Sequence, residues 1–284
     1  MLRMKFLTLS FIVLFSNKVS SQDTKTEMAI YNIGINAVFS GIGSLINKKP
    51  NEKWGKTFLK GMGQGALGGY LIYESKNLIG EITNKKAWEY AWYAKIVNSA
   101  GTSIVENASS NRNFWEKWHL NIGFNRIEFH TKDKFKVKYK IMPVSLALTF
   151  HTAINNKFEF KRSLQTGELI FSSNKTEYKG YTIGNVITVN NRAIDSYDLY
   201  SHEIIHVYQY YDFNFINTFL NRSINKWEQK SNTFKTFNNI FYFDMQAPIY
   251  RGLYLLENSN RNCHYDNFFE NEANFFSGKV GCNN

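Results

Sequence analysis

The chain is short of cysteine, proline and acidic residues, and its start holds no apolar run long enough for a membrane span. Cys263 and Cys282 are the only thiols among 284 residues. In an exported chain an even pair reads as a disulfide, which argues against a thiolate metal site. Closing a loop of that size contributes roughly 3 kcal/mol in the chain-entropy picture. Three prolines supply few breaks: Pro50 falls in a turn over residues 47–54, Pro143 separates two apolar stretches, and Pro248 lies in an aromatic segment that can roof a cleft. Acidic side chains number 23 against 34 basic ones, a formal charge of +11. The apolar run over residues 6–15 is too short to cross a bilayer, and no cysteine follows it, so a lipoprotein anchor is not indicated.

What the start does hold is a secretory leader over residues 1–21. Arg3 and Lys5 precede the apolar run, and Val19 and Ser21 stand before a cut at Gln22. Its removal takes away Arg3, Lys5 and Lys18, leaving 11 − 3 = +8. The leader predicts a periplasmic, cell-envelope or secreted location. Residues 22–85 form a second unit. Residues 28–46 carry no charge, and Gly61, Gly65 and Gly69 recur every four positions, a spacing that lets helices approach closely. A Gly-rich helical hairpin is expected, either packed on the rest of the chain or membrane-associated through residues 28–73. Asn32, Asn36 and Lys60 would be costly in hydrocarbon and favour packing.

Residues 86–284 make the third unit. A helix over residues 87–107 carries Trp88, Tyr90, Trp92 and Tyr93, which suit core or interface filling. Residues 120–189 then read as β-rich. Phe135, Val137, Tyr139 and Ile141 alternate with Lys134, Lys136, Lys138 and Lys140, a half-buried strand whose lysines face water or, in a functional version, an anionic lipid or acidic polymer. Leu146, Leu148 and Phe150 suggest the next strand. Phe158, Phe160 and residues 169–171 suggest a hairpin closing near Thr166 and Gly167. Tyr181, Ile183, Asn185, Ile187 and Val189 alternate in a last strand. No nucleic-acid partner is expected.

The chemistry concentrates in Ser201-His202-Glu203-Ile204-Ile205-His206, inside a segment with helical periodicity. On a helix the two imidazoles share a face and can bind one zinc, while Glu203 can act as general base on water that the metal acidifies to a pKa of about 7. Asp195 stands at the expected N-cap with Asp198 in the first turn. Tyr197, Tyr200, Ile204, Val207, Tyr208 and Tyr211 form an apolar stripe opposite the histidines, which predicts a helix buried on one side with its histidines toward a cleft. His119, His130 and His151 fall in or beside expected strands and read as structural.

Residues 201–209, Ser-His-Glu-x-x-His-Val-x-Gln, together with Glu270-x-Glu272-Ala273-Asn274, resemble the gluzincin metallopeptidases. Within them the pattern is most similar to minimal gluzincin domains, CAAX prenyl peptidases and the metallopeptidase-like domain that accompanies contractile injection systems. The likeness covers about residues 180–280. It implies zinc held by His202, His206 and Glu270, with Asn274 where that family has an aspartate that orients a ligand. A thermolysin-like reading would use Glu272 instead, but it wants an acid at 276, where Phe276 stands. The likeness also implies that the strand before the zinc helix binds an extended peptide, and that one of Tyr250, Tyr254, His264 and Tyr265 stabilises the oxyanion. The expectation is an α+β, zincin-like chain: an exported zinc metalloendopeptidase acting on a peptide or protein substrate. The rival is a non-enzymatic envelope protein that retains the fold.

Overall fold

The computed structural model describes residues 25–174, 178–259 and 267–278. The leader, Cys263 with Cys282, His264 and Tyr265 lie outside the described residues. Three helices come first: α1 (Lys25–Ile46), α2 (Trp54–Lys85) and α3 (Glu89–Ser109). The first two form the expected hairpin. Gly65 and Gly69 of α2 lie against Asn36 and Asn32 of α1, where an added Cβ would stand 2.5 Å from each carbonyl oxygen. Only glycine permits that approach. The second helix continues well past the glycine stripe because Ile72, Ile79 and Ile82 enter the central core alongside Met28 and Phe39 of α1. Among the described residues α1 is the one helix long and apolar enough to cross a membrane, yet 44% of its apolar window is buried within the protein.

Two small sheets follow. The first is an antiparallel meander of β1 (Lys117–Ile122), β2 (Asn125–His130) and β3 (Lys136–Ile141). Next come α4 (Pro143–Asn155), β4 (Lys157–Phe158), α5 (Phe160–Thr166), β5 (Leu169–Ser173), β6 (Gly180–Ile183) and β7 (Val186–Asn190). The last four strands form a second sheet in the order β4-β5-β7-β6, in which β5 and β7 run parallel. The strand expected over Leu146, Leu148 and Phe150 is instead α4. Pro143 takes the first helical turn, where its missing N–H costs nothing, and Ser145, Thr149 and Thr152 make a buried hydroxyl stripe. The expected hairpin with residues 169–171 is present, Phe158 lying opposite Phe171, but Phe160 begins a short helix that closes it, ended by Gly167 at φ +71. The single strand read from Tyr181 to Val189 is a hairpin. Gly184, at φ +63, turns the chain so that Ile183 faces Val186, and β6 rather than β7 forms the edge.

The lysine-bearing strand β3 is turned opposite to expectation. Lys140 is buried while Val137 and Tyr139 are exposed, because the polar side of the meander packs on α3. There Glu106 accepts hydrogen bonds or ion pairs from Arg126 (2.7 Å) and Lys117 (2.9 Å), and Glu128 pairs with the same two cations. His119 sits between Thr102 and Ser103, and burial lowers its pKa to about 3, so it is neutral and structural.

The remaining helices are α6 (Tyr197–Asp212), a 3-10 segment (Phe213–Leu220), α7 (Asn221–Lys230), α8 (Asn232–Ile240), α9 (Gln246–Ser259) and α10 (Phe268–Ser277). The architecture is α+β, with α6 at its centre. Ser196, not Asp195, occupies the N-cap position; Asp195 pairs with Arg162, whose guanidinium lies over the Trp88 ring. Trp88 in turn stacks on Tyr197 and meets Tyr200 edge-on, fixing the start of α6. Every residue from Leu199 to Tyr211 is buried, so the helix is enclosed on all sides rather than on one. At its far side α10 settles against α2 at Gly80, where a Cβ would come within 2.6 Å of the Phe276 carbonyl oxygen.

Candidate metal centre

Helix geometry and one tertiary contact assemble the centre. His202 and His206, one turn apart on α6, bring their Nε2 atoms to 3.2 Å. Glu270, in the first turn of α10, places Oε2 3.2 Å from His202 Nε2 and Oε1 3.4 Å from His206 Nε2. Ligands held tetrahedrally at about 2.0–2.1 Å from a zinc lie about 3.3 Å apart, close to the separation of the two Nε2 atoms, and one ligand atom from each of the three residues lies within 4.8 Å of the others. His202, His206 and Glu270 together could hold a metal ion, and all three are buried. Burial alone lowers the His206 pKa, but the Glu270 carboxylate overrides it and holds the value at about 9. Burial raises that of Glu270, yet hydrogen bonds from both imidazoles drive it well below the ordinary carboxylate range. In the metal-free seat the proton on His206 offsets the Glu270 carboxylate.

The structure separates the two candidate glutamates. Two helical steps turn Glu272 about 200° from Glu270, onto a different buried cluster. Its Oε1 accepts from Lys76 Nζ (2.8 Å) and Asn32 Nδ2 (2.7 Å), and its Oε2 accepts from Gln209 Nε2 (2.8 Å). Lys76 also pairs with Asp212 at 2.7 Å. Glu272 therefore has its charge matched from its own protein, away from the imidazoles.

Gln209 joins the two clusters. Its Nε2 donates to Glu272 and to the Phe269 carbonyl, which orients Oε1 toward His206 Nδ1 at 2.8 Å. In that arrangement the Nδ1–H donates to Gln209, so the proton that a metal would displace is the one on Nε2, facing the centre. Asn274, placed by resemblance in a ligand-orienting position, is buried and makes no hydrogen bond to the described residues through either amide atom. The orienting contact to His206 comes from Gln209 on the same helix, a residue within the quoted motif.

Glu203 lies beside His202 on α6, and its Oε2 accepts a 2.7 Å hydrogen bond from Thr182 Oγ1. Thr182 belongs to the edge strand β6, so the sheet margin and the α6 carboxylate meet at the centre. Tyr254 of α9 donates to Glu270 Oε1 at 2.6 Å, whereas Tyr250 reaches Gln209 Oε1 at 3.3 Å. Of the two described tyrosines considered for oxyanion duty, Tyr254 bonds to one of the three donor residues and Tyr250 does not. Sequence reasoning missed Thr182, Lys76 and Asp212 as supports; alternation marked Thr182 only as a strand residue. His202, Glu203, His206 and Glu270 are each 4–6% exposed, so they face a closed interior rather than an open cleft. A cavity among the described residues lies toward α1, lined by Asn32, Asp212 and Glu272 among aromatic rings, and does not include the imidazoles. Compared with protein-family models, curated proteins and solved structures, the chain finds no match, so the reading of this centre rests on its own geometry.

Proposed function

We propose that the chain is an exported zinc-dependent peptidase of the gluzincin type, with His202, His206 and Glu270 as metal ligands and Glu203 as general base. The observation that carries this reading is the convergence of the two Nε2 atoms, 3.2 Å apart, on the Glu270 carboxylate, whose Oε2 lies 3.2 Å from one ring and Oε1 3.4 Å from the other, with Glu203 next to His202 on the same helix. Two imidazoles and a carboxylate suit zinc among the common divalent ions. Zinc bound there supplies Lewis acidity, which acidifies water and polarises an amide carbonyl.

The chain's own groups do the rest. Glu203 takes the proton as the water oxygen adds to the carbonyl carbon, and returns it to the nitrogen as the C–N bond breaks, releasing a carboxylate and an amine. Thr182, donating to Oε2, fixes the carboxylate's rotamer. Gln209 holds the His206 tautomer. Tyr254 keeps Glu270 aligned with the two rings and, among the described tyrosines considered, is the one we assign to the oxyanion. The edge of β6 is positioned to pair with an extended peptide.

The test is Glu203→Gln. Zinc content should stay near one per chain, while cleavage of an unfolded protein falls by about 10²–10⁴-fold. Undiminished cleavage would remove Glu203 from the chemistry. The rival reading, a non-enzymatic protein in which the metal is structural, is favoured by the burial of all four groups. Wild-type protein that binds zinc but cleaves nothing, with or without chelator, would decide for it.

A further inference from the structure

The meander β1–β3 has its polar and apolar sides reversed relative to a sheet that faces water. Its buried positions are His119, Asn121, Arg126, Glu128 and Lys140. Its outward positions are registered rows: Trp118, Phe129 and Val137 lie side by side, and so do Leu120, Ile127 and Tyr139. None of these six is buried, and Val137 and Tyr139 are 50% and 53% exposed. The reversal extends to the next helix, where Ser145, Thr149 and Thr152 point inward while Phe150 and Ile154 are exposed. Scattered exposed apolar residues need no explanation, but a sheet face with aligned aromatic and aliphatic rows does.

The β2–β3 turn adds a second feature. Phe135, 72% exposed, stacks on Phe129 at the end of the sheet, and the exposed Lys132, Lys134 and Lys136 surround it. Trp115 and Phe114, also exposed, meet edge to face and approach the same turn through the hydrogen bond from Thr131 to the Trp115 carbonyl. Residues 114–164 hold ten Lys and Arg against four Asp and Glu, 10 − 4 = +6, more than half of the chain's +11 in under a fifth of its length.

We propose that this apolar face, with the lysine-flanked Phe135 at its tip, docks on an anionic lipid bilayer. Rings and aliphatic side chains enter the acyl boundary, and the lysines reach phosphate-bearing headgroups. Trp118 and Tyr139 suit the interfacial depth because each joins an apolar body to a polar group. A second copy of the chain fits less well, since it brings the same +6 over residues 114–164 and no excess of the opposite charge. An anionic bilayer supplies both the apolar layer and the opposite charge.

Flotation of the purified chain with phosphatidylcholine vesicles, with and without phosphatidylglycerol, tests the proposal. The wild type should float only with the anionic vesicles, and added salt should release it. Changing Lys134 and Lys136 together to Gln should weaken binding about 30-fold, from roughly a fivefold effect per lysine. Phe135→Ser should weaken it about tenfold, and Phe135→Trp should restore it. All three positions are exposed, so the variants should melt with the wild type; the salt titration of the wild type remains decisive if one does not. Failure to bind anionic vesicles overturns the proposal, as does equal binding to neutral ones or binding indifferent to these substitutions. A lipid-free dimer that Phe135→Ser dissociates would also overturn it and assign the face to a second copy.

Discussion

Glu270 and Glu272 stand two residues apart on α10, both buried, and their surroundings give them opposite tasks. Glu272 faces Lys76, Asn32 and Gln209, so its charge is balanced by groups the chain itself supplies. Glu270 faces two imidazoles and a tyrosine hydroxyl, and its charge draws an added cation, a proton on His206 or a metal, into the seat. A buried charge matched within the protein holds the fold together. One matched only by something added is a binding site.

That contrast can be broken most directly at Lys76. Lys76→Met leaves Glu272 and Asp212 without their shared partner and should cost about 3–5 kcal/mol in urea unfolding, with zinc still bound at one per chain. Glu270→Gln should do the reverse, losing zinc while the metal-free protein unfolds near the metal-free wild type. If both substitutions lower zinc content equally, the two faces of α10 are not independent.

Glu106 offers a control far from the centre. Burial raises its pKa, but Arg126 and Lys117 pull it well below the usual value of 4.5. A depressed folded pKa means that its stabilisation is present above the unfolded value and fades as pH falls below it. Glu106→Gln should therefore cost about 3 kcal/mol at neutral pH, and the gap to the wild type should close as the buffer falls below about pH 4.5. A deficit that does not vary with pH would show that packing, not charge, is what Glu106 provides.

The smallest expected effect is at the bridge between the clusters. Gln209→Leu removes the acceptor of His206 Nδ1 and one donor to Glu272. Zinc affinity should fall about 10–100-fold in a chelator competition. An unchanged affinity would mean that His206 keeps its tautomer without Gln209.

The parts of this arrangement legible from sequence are those fixed by local periodicity. Residues 201–209 had to share one helix and so bring His202 and His206 together, and the uncharged stretch with Gly65 and Gly69 had to make a close helical pair. Leu146, Leu148 and Phe150 misled because their alternation fits a strand. The four-residue step from Leu146 to Phe150 to Ile154, with Pro143 at the start, fits the helix they form. Asp195 misled because Arg162, 33 residues earlier, takes its carboxylate away from the cap position.

Sequence alone determined the paired helices α1 and α2 and the helix that brings His202 and His206 together, since the spacing of side chains along a helix follows from backbone geometry. Tertiary structure alone decided which side of each element is inside. Lys117 and Arg126 of the meander turn inward because Glu106 waits beneath that sheet, and Glu270 rather than Glu272 meets the imidazoles because Lys76 reaches Glu272 across 196 residues. A periodic pattern defines two faces, but the free energy of burial goes to whichever face finds a partner, and those partners lie far away in the chain.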